Sequence, residues 1–178
     1  MKIIIRITSI LVILVIVFII VIISWGASFP EEYSVSRTTL IHQPVDSTWN
    51  VVTDHLNYPQ WREDLASVEI LSSEGGLTAW KEIYKQGNQE MSFETVTLDT
   101  LKLWVIRIAD SNVPVSITWT MDFDSTEAGT KLTLTEQSKV KNPFFRLMIY
   151  QVFGISSNIE IYLKALGKRF DEVVVFDN

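Results

Sequence analysis

Between residues 115 and 140 the chain alternates in a way that few folds can accommodate. Val115, Ile117, Trp119, Met121 and Phe123 alternate with Ser116, Thr118, Thr120, Asp122 and Asp124. A repeat of two describes a half-buried strand with one apolar face. A loop carrying Gly129 follows, and Leu132 and Leu134 then alternate with Lys131, Thr133 and Thr135. Glu136 keeps the parity of the two leucines, so a carboxyl group points toward the apolar side. Asn142-Pro143 opens a helix, with Asn as N-cap and Pro at the first helical position. Strands that run into a C-terminal helix imply a sheet curved around that helix.

The remaining strands follow from the same reasoning. Tyr33–Gln43 alternates and is stopped by Pro44. Asp46 or Ser47 caps a short helix through Trp49, Val52 and Leu56, which Asn57-Tyr58-Pro59 breaks. Leu65–Ser72, Leu77–Lys85, Glu90–Leu98 and Leu101–Ala109 read as further strands. They are separated by turns at Ser73-Glu74-Gly75-Gly76, Gln86-Gly87-Asn88 and Asp99-Thr100, and Asp110–Pro114 is a loop. Short strands joined by brief turns predict an antiparallel sheet. Past Asn142 a helical region runs to about Phe176, kinked at Gly154. Beyond the kink, Ile159, Tyr162, Leu163, Leu166 and Phe170 form an apolar stripe. The class is therefore α+β.

The N-terminus is of another kind. Ile7 to Ile23 is apolar apart from Thr8 and Ser9. At about 1.5 Å per residue this helix covers roughly 26 Å, close to a bilayer core. Lys2 and Arg6 precede it, and Glu31 and Glu32 follow. The positive flank predicts a cytoplasmic N-terminus and a domain outside the cytoplasm, on a single-pass cell-membrane anchor. A cleaved signal peptide is the competing reading, since Ser24 and Gly26 are small; the length of the apolar run favours a retained anchor. The expected division is residues 1–28 as anchor and 33–176 as the folded domain. About 150 residues beyond the anchor suffice for one domain with a sizeable core.

Several chemistries are set aside at this level. A net charge of -6 argues against nucleic acid. There is no Cys, hence no thiolate ligand, disulfide or Cys nucleophile. The two histidines, His42 and His55, have no metal-ligand spacing, and His55 is expected at a solvent-exposed helix end. No Gly-x-Ser-x-Gly elbow, phosphate loop or dinucleotide fingerprint is present. No metal, cofactor or catalytic residue is assigned.

Two segments carry a family resemblance. One runs from Pro44 through Trp61 and contains Asp54-His55-Leu56-Asn57-Tyr58-Pro59-Gln60-Trp61, a D-x-x-x-Y-P-x-W pattern. The other is Leu134-Thr135-Glu136-Gln137 with Asn142-Pro143-Phe144-Phe145-Arg146 and Phe153-Gly154. With the strand order, the chain from Tyr33 to Phe170 resembles the START-like, polyketide cyclase/dehydrase (SRPBCC) superfamily. That resemblance implies a helix-grip fold: seven antiparallel strands curved round a long C-terminal helix, with two small helices closing one end. It also implies an apolar cavity for a lipid, sterol, polyketide, quinone or similar molecule. The anchor departs from the usual soluble form and points to a ligand drawn from the membrane.

Within that frame, charged residues at apolar parity stand out. Arg107 continues Leu101, Leu103 and Val105; Glu136 continues Leu132 and Leu134; Glu82 lies between Trp80 and Tyr84. A buried charge needs a partner or water. Glu82, Arg107 and Glu136 are therefore expected to form a polar cluster facing the cavity, with a structural ion-pair network as the alternative. Trp61, Trp80, Tyr84, Trp104 and Trp119 are the aromatic candidates for the cavity wall, and each could equally be ordinary core. Phe144, Phe145, Met148 and Phe153 are expected to pack on the sheet rather than face lipid or a partner. The leading expectation is binding of a hydrophobic small molecule. A cyclase/dehydratase using Glu136, or a partner-binding module with a filled cavity, stands beside it. No protein partner is named by the sequence.

Overall fold

The computed structural model describes residues 2–87, 89–110 and 114–176, with residues 2–5 as backbone only. Asn88 of the expected turn, residues 111–113 of the expected loop and the side chain of Lys2 lie outside it. Helix α1 (Lys2–Ala27) stands apart from a sheet of seven strands. These are β1 (Glu32–Ile41), β2 (Leu65–Glu74), β3 (Leu77–Tyr84), β4 (Glu90–Asp99), β5 (Leu103–Ile108), β6 (Val115–Thr126) and β7 (Gly129–Val140). All neighbours are antiparallel, in the order β1-β7-β6-β5-β4-β3-β2. Register slips between Thr95 and Thr97, and twice along β2, bend the sheet as bulges do. Its concave face receives α4 (Ser157–Arg169) through Ile159, Tyr162, Leu163 and Leu166, all buried. This is the helix-grip fold.

Residues 6–27 of α1 are apolar enough to cross a membrane, and this helix is exposed along most of its length, with Gly26 near its end buried; this fits either a membrane span or a signal sequence. Helix α2 (Val45–Thr53) and a 3-10 turn (His55–Gln60) close the far end of the sheet. Pro44 precedes α2 in extended conformation, and Asp46 binds the Ser47 amide, so neither Asp46 nor Ser47 caps the helix as expected. Trp49 meets Phe123 edge-on at 5.0 Å between ring centres. With Trp104, Met121, Leu132 and Leu134 they fill that end solidly.

The C-terminal region is more broken than its sequence suggests. Asn142 caps α3 (Pro143–Met148) by accepting from the Phe144 amide. A π-helical turn, Ile149–Phe153, follows and closes on Gly154, whose φ of 87° suits a residue without Cβ. Helix α4 then stops at Arg169 rather than near Phe176. Asp171 adopts φ 58°, and the tail turns back so that Val174 packs against Gly167. Strand β5 likewise starts at Leu103, because Leu101 sits in a turn at φ 64°.

Candidate functional site

The end of the sheet opposite α2 is not filled. A cavity of about 320 Å³ lies between α4 and the near ends of β3 to β6. Its sheet wall is Trp80, Met91, Phe93, Ile106, Ile108, Ile117 and Trp119; α4 contributes Asn158, Ile161, Tyr162 and Ala165. The strand register explains the location. Phe93 pairs with Ile108, and Ile106 with Trp119, toward the end where β1 begins and β7 finishes. There the start of α4 faces the sheet, and Tyr58 of the 3-10 turn completes the wall.

One wall is polar. Glu82, buried on β3, receives both its oxygens' bonds from Arg62 Nη1, at 2.8 and 2.9 Å. Trp80 Nε1 donates to it at 3.2 Å and the Tyr84 hydroxyl at 2.9 Å. Arg62 follows the 3-10 turn and its Nη2 reaches Asp64 at 3.1 Å. Its guanidinium carbon lies 5.6 Å from the centre of the Tyr58 ring and 5.9 Å from that of Tyr162. Burial works against the Arg62 charge, yet Glu82 beside it holds the guanidinium firmly protonated. Burial, then the Glu82 charge, pushes the Tyr84 phenol up, so it stays a donor.

A second buried carboxyl lies one layer back. Glu136, fully buried on β7, accepts from Trp119 Nε1 at 2.8 Å, the Ser138 hydroxyl at 2.8 Å and the Tyr33 hydroxyl at 3.0 Å. Burial is the main reason that the Tyr33 phenol is pushed up to about 12. Trp119 thus presents its ring to the cavity and its N–H to Glu136, which does not itself line the cavity.

Of the residues singled out from the sequence, Trp80, Glu82, Tyr84 and Trp119 line the cavity. Trp61 and Trp104 do not: Trp61 packs edge-on against Tyr58 and Tyr162, and Trp104 Nε1 bonds Thr95 Oγ1 in the core. Arg107 is on the other face of the sheet. There it is exposed and bonded to its cross-strand partner Glu94 at 2.5 Å. The expected Glu82–Arg107–Glu136 cluster therefore does not form. Its parity was that of Leu103 and Val105, which are half-buried on the convex face, while Trp104 and Ile106 point inward.

The cation that meets Glu82 is instead Arg62, within the matched D-x-x-x-Y-P-x-W segment's immediate continuation. Nothing local in the sequence marks it. His55 likewise does not lie at a solvent-exposed helix end. It is buried, 3.9 Å from Trp80 and 5.3 Å from Trp104 between ring centres, and burial pulls its pKa down to about 4. Phe144, Phe145 and Phe153 are exposed rather than packed on the sheet.

Comparison with known sequences agrees with this architecture. The family described as "Polyketide cyclase / dehydrase and lipid transport" matches residues 32–170. The chain belongs to this family. Zhui aromatase/cyclase from Streptomyces sp. R1128 superposes with a TM-score of 0.65 at 19% identity, over 79% of this chain and 94% of that one. Norcoclaurine synthase from Thalictrum flavum does so with a TM-score of 0.62 at 14% identity, over 83% and 91%. At such identities the shared property is the fold. No curated protein sequence matches the chain.

Proposed function

We propose that this family member binds a hydrophobic small molecule, a lipid, quinone or similar, in the sheet–helix cavity while α1 tethers it to the cell membrane. The carrying observation is the cavity itself. At about 320 Å³ it is at the small end of ligand pockets and is walled mainly by Trp, Phe, Ile and Met. The Arg62–Glu82–Tyr84 group and Asn158 supply polar contacts at its edge, enough to orient a headgroup or a ring oxygen. Lys2 and Arg6 ahead of α1 favour a cytoplasmic N-terminus, with the domain outside the cytoplasm. A membrane supplies apolar molecules beside the domain, and the description of the family includes lipid transport.

Binding is favoured over turnover because Glu82, the buried carboxyl at the cavity, already accepts from Arg62, Trp80 and Tyr84. Such a group orients a ligand more readily than it takes a proton from one. The test is fluorescence titration of the full chain in detergent with N-phenyl-1-naphthylamine, an apolar probe. Saturable binding that weakens at least tenfold in Ala165→Phe, which fills the cavity from α4, is the expected result. Absence of saturable binding, or binding indifferent to Ala165→Phe, refutes the reading.

A further inference from the structure

The exposed apolar surface around α3 has a physical neighbour, the end of α1. A Cβ on Gly26 would come within 2.0 Å of the Pro143 carbonyl oxygen, so the two backbones touch. Phe29 stacks on Tyr150 with ring centres 4.8 Å apart. Arg146, itself buried, reaches Glu31 at 2.9 Å. The segment Pro143–Phe153 is therefore docked at the base of the candidate span. Beside that base it presents Phe144, Phe145, Val152 and Phe153 to the outside, the last two 62% exposed. No charged residue occurs from Leu147 to Ile159.

The cavity opens on the same side. Ile161, one turn into α4, lines the cavity and is nevertheless 63% exposed, which places it on the rim. The Val140 amide bonds the Glu31 carbonyl, so the cavity's end of the sheet is also the end joined to α1. At about 1.5 Å per residue, residues 6–27 span about 33 Å, slightly more than a bilayer core. The last turn of α1, with exposed Trp25, then sits at the lipid interface, level with α3.

We infer that Pro143–Phe153 and Ile161 form a surface immersed in the outer lipid interface, holding the cavity rim against the acyl chains. An apolar molecule then enters from the leaflet without crossing water. This rests on the proposed membrane tether and cavity. The contact is apolar, so it needs no anionic lipid and changes little with salt.

Because the chain has no Cys, single-Cys labelling is free of background. Full-length Phe145→Cys, Phe153→Cys and Val96→Cys variants, each carrying the fluorophore NBD, are reconstituted in phosphatidylcholine vesicles containing lipid doxyl-labelled near the headgroup. Val96 is exposed on β4 and serves as the water-side control. At positions 145 and 153, blue-shifted emission and quenching at least twice that at 96 are expected. Probes at both positions that match position 96, while one at Ile23→Cys, near the end of α1, is quenched, overturn the inference and leave the tether standing. Loss of α1 by cleavage overturns both. The difference in naphthylamine emission between wild-type and Ala165→Phe preparations, which cancels dye dissolved in the bilayer, reports the cavity separately, so a dry cavity and a dry surface give different results.

Discussion

Arg62 and Glu82 form a buried ion pair, 2.8 Å apart, that ties the end of the 3-10 turn to the middle of β3. It joins two elements far apart in sequence at the one polar wall of the cavity. Its energetics differ from those of a surface pair, because Glu82 is nearly inaccessible and keeps the cost of desolvation if its partner is lost.

Arg62→Leu is accordingly expected to destabilise the domain by about 3–5 kcal/mol, since it strands a buried carboxyl. The double variant Arg62→Leu/Glu82→Leu removes the stranded charge but leaves the Trp80 and Tyr84 donors without an acceptor, so it recovers only part of that loss. Thermal melts of the detergent-solubilised chain check both. A single variant that melts like the wild type contradicts the pairing.

His55 makes stability depend on pH. Its folded pKa is lowered to about 4 by burial among Trp80, Trp104 and Tyr58, while the unfolded imidazole protonates below about 6.5. The unfolded state therefore binds the extra proton, and stability falls as pH drops through the window from 6.5 toward 4. Between pH 7.5 and 5 this amounts to about 2 kcal/mol. Urea denaturation of wild type and His55→Phe at the two pH values isolates it: the variant lacks this share of the decline.

Glu136→Leu removes the acceptor shared by Trp119, Ser138 and Tyr33. Each donor left without a partner costs about 1–3 kcal/mol, so a loss of at least about 3 kcal/mol is expected. Tyr33→Phe, which removes one donor and leaves the carboxyl two others, costs about 1 kcal/mol. Denaturant midpoints rank the two variants, and the reverse order counts against the network.

Arg107→Ala, by contrast, cuts an exposed pair with Glu94 and costs less than about 1 kcal/mol. Naphthylamine affinity stays unchanged. Weakened binding in this variant would place Arg107 at the ligand after all.

How much was legible varies with the range of the interaction. The alternation within β7 put Glu136 on the buried face, and that within β3 put Trp80, Glu82 and Tyr84 on one side, because side-chain parity is a local property of a strand. In β5 parity fails as a guide. Leu103 and Val105 are as apolar as Trp104 and Ile106, so either face suits the core by composition, and only the pairing of Glu94 with Arg107 shows which looks outward. The stripe on α4 was readable for the same reason as the strands. The exposure of Phe144, Phe145 and Phe153 was not, since an apolar helix face does not say whether sheet or bilayer covers it.

The amino-acid order alone determined the antiparallel strands, the terminal helix, the apolar span and the family pattern, all governed by residues close together in the chain. Tertiary structure decided that Arg62 meets Glu82, that His55 is walled in by indoles, and that space remains beneath Trp119 and Ile161. Those outcomes depend on which distant side chains arrive at one point and on how completely their volumes fill it. No local period encodes either.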